Sequence, residues 1–538
     1  MPILEEMKNI VVLFADSLRI FDLVSNRMCS FEKSLAWGCK VPECAKIFVF
    51  TDEKIAARCR CFFSTPEITE KAEIITRPSW NVFELLTCMH ECCTKSACRN
   101  IVYAWADCPF LNEKLTLEML ETHEKYLAEY TFADGYPYGF APEIINCGTA
   151  SIIAALSVKE GLPHKIGTER VSRESIFTAM KGDINAFEIE TVISPVDWRM
   201  YRLNFSVGKK ENFLACKKLA EISSSDDSAS QLSEKAVKCA GILRTVPGFY
   251  NIQIEKKGRG KCLYNPYFEI LEQNAELQEK LVSMPFEKFS SLVKQIAEFS
   301  ETAVISLSLW GEPLYHPQLP QFISEVLKYP GLSVFIETSG DSLTEEKACE
   351  IAKIVDSCAP RSNGWQPVMW IVFTDAVTAE KYSEIHFTDG FASALNSISI
   401  LEKHFKGCVY PQFVRMNENE EQLESFYRFW SRKESPSGGA LIIQKYNDFA
   451  GFLPKRNPCD LSPVERCLDW HLRRDMVILC TGDVMPYKES LFDGSIGNVF
   501  EENLESIWRK GDSLLEGQLA GKYDEISGKY DEYYTFNF

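Results

Sequence analysis

Asp107 is the carboxylate whose position in this chain most clearly suggests ligand binding. It follows directly after the apolar run 101–106, which has the pattern of a buried β-strand. Open parallel sheets bind their ligands at the carboxyl ends of their strands, so Asp107 is a candidate metal or ligand position. The alternative is structural, because the aspartate of an Asp-Cys-Pro turn can cap the start of a helix.

The densest group of soft metal ligands lies in residues 88–98. On a helix, Cys88 and Cys92 share a face because they are four residues apart, and Cys98 could approach them. This pattern is compatible with a zinc or iron site. The alternative is that these cysteines are small buried hydrophobic residues, since no second pair at structural-zinc spacing follows.

The elements that must position these residues alternate between strands and helices. Buried-strand patterns occur in the first and middle parts of the chain, at 10–15, 47–51, 101–106, 251–254, 302–309, 332–336 and 368–373. Amphipathic spacing predicts helices around 31–37 and over 287–299. The alternation predicts an α/β fold, with a parallel sheet first and then a partial βα barrel or a doubly wound sheet.

Changes in composition suggest where the domains divide. Residues 223–236 are rich in Ser and Asp and predict a mobile linker. After residue 457, glycine-punctuated short segments replace the long periodic ones. We therefore expect a first domain over 1–222, the linker over 223–236, a barrel over 237–456 and a small irregular domain over 457–538.

Charge and hydropathy exclude several classes of partner. The 538 residues carry a net charge of −18, which opposes the counterion displacement that nonspecific nucleic-acid binding requires. No uncharged apolar run of about 18 residues could cross a bilayer, and residues 1–6 are acidic where a signal peptide needs positive charge. We expect a cytoplasmic protein with no nucleic-acid or membrane partner, whose 20 cysteines are mostly free thiols.

The segment 258–265, Gly-Arg-Gly-Lys-Cys-Leu-Tyr-Asn, gives the middle part of the chain a resemblance to a radical-SAM domain. It stands where that family carries CxxxCxxC, whose three thiolates bind three irons of a [4Fe–4S] cluster and leave the fourth to S-adenosylmethionine. Here Cys262 is the single thiol, since Gly258 and Asn265 supply none. The resemblance implies cofactor binding through Cys262 and disfavours an intact cluster.

A second part of that resemblance is the segment Gly311-Glu312-Pro313. It is similar to the family's GGEP segment, which lies near the amino group of S-adenosylmethionine, and 336–340 and 374–376 resemble the strand ends that follow. The resemblance implies that Gly311, Glu312 and Pro313 contribute to cofactor binding. A Gly-Glu-Pro sequence is also typical of a simple turn.

The C-terminal part resembles a SPASM domain, and the chain as a whole resembles the spiro-SPASM proteins. The landmarks are residues 467–470, 482–486 and 496–499. The resemblance implies auxiliary [4Fe–4S] clusters, for which Cys459, Cys467 and Cys480 remain as candidate metal ligands. Other cluster positions have lost their thiols, and Tyr487 and Tyr530 suggest that apolar side chains fill that volume.

The N-terminal part resembles nucleotidyltransferases and glycosyltransferases of the GT-A type. Residues 106–111 are similar to the family's metal-binding turn, which implies Mg²⁺ and nucleotide phosphates on Asp107. Segments 134–139 and 189–199 are candidate substrate-side segments, with Asp197 as a second carboxylate. The glycine-rich phosphate loop is missing, because residues 14–19 contain no glycine.

These features favour a spiro-SPASM-like protein with degraded clusters that acts by ligand binding or regulation. Its ligand would be adenosyl or nucleotide in character, S-adenosylmethionine included, and a peptide or protein is a further candidate partner. Two enzymatic alternatives stay open: a radical-SAM enzyme with an atypical cluster on Cys262, and a Mg²⁺-dependent nucleotidyl or glycosyl transferase using Asp107. A third alternative is a structural partner of an intact paralogue.

Overall fold

The computed structural model of this chain describes residues 8–25, 27–63, 66–159, 166–459 and 468–527. The chain divides into two compact units, Met1–Leu243 and Arg244–Phe538. Cys467 and Tyr530 lie outside the described residues.

The described residues of the first unit form one mixed sheet flanked by helices. Its strands are β1 (Asn9–Phe14), β2 (Cys44–Thr51), β3 (Ala72–Thr76), β4 (Asn100–Trp105), β5 (Tyr130–Asp134), β6 (Glu143–Asn146) and β7 (Ile189–Ile193). Its helices are α1 (Ser30–Lys40), α2 (Glu53–Cys59), α3 (Pro66–Lys71), α4 (Val82–Lys95), α5 (Glu113–Lys125), α6 (Cys147–Val158), α7 (Ser175–Met180), α8 (Lys210–Ile222), α9 (Ala229–Val237) and α10 (Ala240–Leu243).

The strand order in this sheet is β3-β2-β1-β4-β6-β5-β7. Strands β1 to β4 are mutually parallel, while β6 runs antiparallel to β4 and β5. Strands β1 and β4 are buried along their whole length, which explains why they read as continuous apolar runs. Their carboxyl ends place the 14–19 loop and Asp107 at the same edge of the sheet.

The second unit is built on a longer sheet. Within its described residues the strands are β8 (Phe249–Ile252), β9 (Ala303–Ser306), β10 (Leu332–Thr338), β11 (Val368–Phe373), β12 (Val409–Arg415), β13 (Ile442–Lys445), β14 (Asp475–Ile478), β15 (Asp483–Met485) and β16 (Gly497–Asn498). The helices are α11 (Tyr267–Gln273), α12 (Ala275–Lys280), α13 (Phe286–Ser300), α14 (Leu319–Leu327), α15 (Glu345–Ser357), α16 (Ala379–His386), α17 (Phe391–His404), α18 (Leu423–Trp430), α19 (Trp470–Arg474), α20 (Leu504–Lys510) and α21 (Asp512–Leu519).

Strands β8 to β13 are parallel and lie side by side in chain order. A doubly wound sheet reverses its strand order at a switch point, and these six strands do not, so their progression is that of a partial βα barrel. Strand β14 pairs in parallel with the free side of β8, and β15 and β16 continue the sheet as an antiparallel meander.

The predicted α/β class is confirmed, with parallel strands dominating both sheets. Each strand pattern recognised in the sequence corresponds to a strand, and the helices predicted around 31–37 and over 287–299 are α1 and α13.

The division of the chain differs from the sequence expectation. The compact units meet at Leu243, and most of the stretch 223–236 forms α9, not a mobile linker. Ser228 begins this helix by a capping box with Gln231, because serine oxygens accept the free N–H groups of a first helical turn. Leu232 and Ala236 are buried. The segment after 457 adds its strands to the barrel sheet and belongs to the same compact unit.

No helix in the described ranges is both long and apolar enough to span a lipid bilayer.

Candidate functional site

The carboxyl ends of β8 to β11 meet at one edge of the second sheet, because these strands are adjacent and parallel. The loops that follow them contain Cys262, Glu312 and Asp375, whose side chains are all buried. Polar groups converge at this edge although the surrounding core is apolar. It is the candidate functional site of the second unit.

Glu312 connects the ends of β9 and β10. Its Oε1 accepts hydrogen bonds from the Thr338 hydroxyl at 2.6 Å and the Leu314 N–H at 3.2 Å. Its Oε2 accepts from the N–H and the hydroxyl of Ser339, each at 2.9 Å. Four donors fill the lone-pair positions of a carboxylate, so the bonds of Glu312 are made within the protein.

The residues on either side of Glu312 set the path of the backbone. A Cβ atom on Gly311 would lie 1.9 Å from the carbonyl oxygen of Glu255, so a side chain does not fit there. Pro313 is the first residue of a 3-10 turn, Pro313–Tyr315, that Glu312 caps. The turn interpretation therefore accounts for all three residues of the Gly-Glu-Pro segment.

Asp375 forms a second network at the same edge, which we call the Asp375 cluster: Cys262, Tyr264, Asp375 and His386. Its Oδ2 accepts from the Tyr264 hydroxyl at 2.8 Å and lies 3.0 Å from His386 Nε2. Its Oδ1 accepts from the Val414 N–H at 2.6 Å. Cys262 is an electrostatic neighbour of His386. The single thiol of the 258–265 loop thus lies near an imidazole that is bonded to a buried carboxylate.

The charge state of His386 follows from this arrangement. Burial by itself lowers the pKa of His386, but Cys262 and Asp375 outweigh it and raise the pKa to about 9. The imidazole is therefore protonated at neutral pH and supplies a positive charge to Asp375, which is fully buried. The ring of Tyr382 stacks on His386 at 4.3 Å and holds its orientation.

The two positions that lack the expected thiols are occupied by other structure. A Cβ atom on Gly258 would lie 2.8 Å from the ring of Tyr267. Asn265 is buried, and its Oδ1 accepts from the Tyr267 N–H at 3.0 Å at the start of α11. Tyr267 itself stacks against Trp310 at 6.2 Å. Aromatic rings pack where a cluster would need room.

The candidate ligands of the C-terminal segment that the structure describes differ in their surroundings. Cys459 is exposed and Cys480 is buried, and burial raises the pKa of Cys480 to about 12. Throughout the described part of the chain, no three His, Cys, Asp or Glu side chains are grouped so as to hold a metal ion. Tyr487 is buried, and its hydroxyl donates to Asp524 at 2.8 Å.

Asp107 in the first unit is paired with an arginine. Arg173 donates from Nη2 to Oδ2 at 2.5 Å and from Nη1 to Oδ1 at 3.2 Å. The guanidinium lies over the rings of Trp105, at 4.4 Å, and Tyr138, at 4.8 Å. Only 3% of the Asp107 side chain is exposed. A fixed cation of the protein therefore holds the carboxylate that was predicted to bind Mg²⁺.

Two other acidic groups of this unit, Asp197 and Asp16, have basic neighbours as well. Asp197 binds Arg199 through both of its oxygens, at 2.9 and 2.8 Å, and this pairing lowers the pKa of Asp197. Asp16, in the loop after β1, lies 3.8 Å from Arg170. Burial and then Asp107 raise the pKa of Asp16. A carboxylate in that loop opposes the phosphate that a glycine-rich loop would hold.

The cysteines of 88–98 separate into two groups. Cys88 and Cys92 lie one turn apart in α4, and both are buried. Cys93 instead donates to the carbonyl oxygen of Cys98 at 3.3 Å. The expected approach of Cys98 to Cys88 and Cys92 is replaced by this second group.

The sequence did not reveal the basic partners of three carboxylates: Arg173, Arg199 and His386. Arg173 is 66 residues from Asp107, and no local pattern links the two. Asp375 lies just after β11, and His386 ends the helix that follows, α16. A strand-end carboxylate followed by a helix with a histidine was therefore the available signal. Arg199 lies two residues from Asp197, where adjacency could have suggested the pair.

Comparison with known proteins identifies an uncharacterized relative of the chain. No model of a known protein family matches the chain. It is 38% identical over 373 residues to an uncharacterized protein of Treponema pallidum (strain Nichols), a match that spans 68% of this chain and 98% of that protein.

Two solved structures are similar to parts of the chain. Streptococcus suis SuiB bound to the precursor peptide SuiA matches with a TM-score of 0.40 and 12% identity, over 54% of this chain and 72% of that chain. A cytidylyltransferase from Leptospira borgpetersenii matches with a TM-score of 0.35 and 17% identity, over 43% of this chain and 94% of that chain. Both scores lie below 0.5, and neither likeness assigns a function.

Replacing Arg173 by methionine is expected to destabilise the first unit by about 3 kcal/mol, because it leaves the Asp107 carboxylate buried without a cation. Urea denaturation of the full chain measures this change. The double variant Arg173→Met/Asp107→Asn should recover part of the loss, since it removes the uncompensated charge. Equal stability of wild type and Arg173→Met would contradict the pairing.

His386 is expected to make the second unit less stable at alkaline pH. A pKa raised from 6.5 to about 9 gives stability that is fully present below pH 6.5 and is lost as pH rises through 9. The difference amounts to about 3 kcal/mol. Urea denaturation at pH 6 and pH 9.5 should show this loss in wild type and a smaller one in His386→Gln. The same pH dependence in both proteins would refute the assignment.

Proposed function

The chain belongs to the same family as the uncharacterized Treponema pallidum protein, and we propose that it is a radical-SAM-like protein that binds a ligand without radical chemistry. Its second unit would use the strand-end edge of the partial barrel as the binding surface. The observation that carries this proposal is the position of Tyr267, whose ring lies against Gly258 and whose N–H donates to Asn265, because this packing occupies the two positions at which a cluster would need further thiolates.

A [4Fe–4S] cluster does not fit the residues of this edge. Cys262 is the single thiol of the 258–265 loop, and one thiolate leaves most iron–sulfur bonds of a cluster unmade. The Tyr267 ring blocks any side chain at Gly258, and Asn265 is engaged in capping α11. We therefore assign no catalytic step to a cluster.

The charge of the 256–261 loop indicates the chemistry of the ligand. Lys256, Lys257, Arg259 and Lys261 place four cationic side chains within six residues of a chain whose net charge is −18. The three lysines are exposed. This local excess of positive charge after β8 favours an anionic group. A nucleotide phosphate suits it better than the cationic sulfonium of S-adenosylmethionine.

The role of Glu312 agrees with that choice. With four donors already bonded, it has no lone pair free for the ammonium group of an adenosyl amino acid. We propose that Gly311, Glu312 and Pro313 shape the edge, and that the basic loop makes the contacts with the ligand.

Iron analysis tests the loss of the cluster. Protein purified without oxygen and reconstituted with iron and sulfide is expected to hold far less than four irons per chain. The Cys262→Ser variant should hold the same amount as wild type. About four irons per chain, with an electron paramagnetic resonance signal that S-adenosylmethionine perturbs and Cys262→Ser abolishes, would overturn the proposal and restore the enzymatic alternative.

Calorimetric titration tests the ligand class. ATP is expected to bind more tightly than S-adenosylmethionine, and Lys257→Ala/Lys261→Ala should weaken ATP binding about tenfold, since ion pairs of exposed side chains contribute about 0.2–1 kcal/mol each. Lys406→Ala is the matched control, because this exposed lysine precedes β12 at the opposite edge of the sheet. No heat with ATP, or equal weakening by the control, would contradict the proposed surface.

The Mg²⁺-dependent transferase alternative is disfavoured by the pairing of both candidate carboxylates with arginines. Asp107 and Asp197 each bind a guanidinium in a two-point arrangement. A divalent ion would have to displace a fixed positive charge from each carboxylate. We therefore propose no metal-dependent transfer in the first unit.

A further inference from the structure

The loop 258–261, between β8 and α11, presents backbone donors that the protein leaves unbonded. Its sequence is Gly-Arg-Gly-Lys. Among the described residues, the structure gives no acceptor to the N–H groups of these four consecutive residues. Bonded donors lie on both sides, because the Lys257 N–H donates to Glu255 Oε1 at 2.9 Å and the Leu263 N–H donates to the Ile385 carbonyl oxygen at 3.0 Å. The loop between them can therefore donate to an acceptor from outside the protein.

The conformation of Gly260 leaves room beside these donors. Its φ is +96°, which glycine adopts without strain. A Cβ atom built on Gly260 would meet no atom of the described residues within 4 Å, apart from its chain neighbours. Successive N–H groups in turns of this kind form concave sites for anions. The open side of the loop can therefore receive an oxyanion.

Arg259 adds a positive charge that the protein does not neutralise. Its Cζ lies 3.8 Å from the centre of the Phe373 ring at the end of β11. In the described part of the chain, its buried Nε has no hydrogen-bond partner and its guanidinium forms no ion pair. Asp375, the buried carboxylate nearby in sequence to Phe373, is already bonded to Tyr264 and His386. Stacking on an aromatic face holds a guanidinium while its fork of donors stays open for an anion.

Two lysines add positive charge on either side of the loop centre. Lys257 Nζ lies 4.7 Å from the centre of the Tyr315 ring. Lys261 Nζ lies 5.6 Å from the centre of the Phe387 ring and 3.8 Å from Glu269 Oε1. Several directed donors together with this charge suit the three acceptor oxygens and the charge of about −2 of a phosphate better than the single charge of a carboxylate.

We propose that the loop 258–261 is a phosphate-binding site, in which its unbonded N–H groups hold the oxygens of one phosphate and Arg259 donates to it from the face of Phe373. The inference rests on the proposed function, which places an anionic ligand at this edge, and it adds which donors recognise the anion. Nucleotides and inorganic pyrophosphate share this chemistry, whereas adenosine lacks it.

Calorimetric titration with pyrophosphate, ATP and adenosine tests this site. Pyrophosphate and ATP are expected to bind the wild-type chain, and adenosine should bind far more weakly. Arg259→Met keeps an apolar contact with Phe373 but lacks the guanidinium, so it should weaken pyrophosphate and ATP about tenfold. Arg428→Met is the matched control, because this exposed arginine of α18 pairs with Glu424, and it should leave binding unchanged.

The outcomes separate this inference from the proposed function. Binding of ATP that Arg259→Met does not weaken would overturn the phosphate site and leave the strand-end edge as a ligand surface. Binding of pyrophosphate but not of ATP would support the phosphate site and contradict a nucleotide ligand. Absence of pyrophosphate binding, or adenosine binding as tight as that of ATP, would overturn the site.

Hydrogen–deuterium exchange of the wild-type chain decides the same point if a variant fails to fold. Saturating pyrophosphate should slow amide exchange severalfold in the peptide that contains 258–261, because its N–H groups would then be hydrogen-bonded. The peptide that contains Lys406, at the opposite edge of the sheet, should exchange at the same rate with and without pyrophosphate. Unchanged exchange in 258–261, or equal slowing in both peptides, would contradict the proposal.

Discussion

Removing a carboxylate from water costs several kcal/mol unless a cation or a full set of hydrogen-bond donors accompanies it. Each unit of this chain buries a carboxylate beside a cation at the carboxyl edge of its sheet: Asp107 after β4 and Asp375 after β11. In each case a side chain of the protein supplies the positive charge, Arg173 in the first unit and His386 in the second. The loops around both edges are arranged by these pairings.

The two cations differ in what they permit. Arg173 is held between two aromatic rings and bonds both oxygens of Asp107, an arrangement that fixes the guanidinium and does not depend on pH in the physiological range. His386 titrates, and it lies near the thiol of Cys262. Arg173 therefore neutralises Asp107 throughout the physiological pH range, whereas the proton with which His386 neutralises Asp375 is lost at alkaline pH.

Packing explains why cluster chemistry and this fold can be separated. The partial barrel is held by six adjacent parallel strands and their buried apolar faces, which do not require metal. The ring of Tyr267 packs over Gly258, where a side chain would collide with it, and the Tyr267 N–H donates to the side chain of Asn265. Close packing then stabilises the loop in place of iron–sulfur bonds. Close packing also requires glycine at position 311, because the carbonyl oxygen of Glu255 leaves no room for a Cβ atom there.

The sequence alone determined the class of the fold, because buried parallel strands such as β1, β4 and β11 appear as continuous apolar runs whose periodicity is local. It also placed Asp107 at a strand end, and the family resemblance pointed to Cys262, Glu312 and the segment 374–376. Only the tertiary structure decided what those groups bind, since Arg173 reaches Asp107 across 66 residues of chain. The segment 223–236 shows the same limit locally: its polar composition suggested mobility, and packing of Leu232 and Ala236 made most of it a helix. The type of a side chain determines which interactions it is able to make, whereas contacts between distant segments decide which of these interactions form.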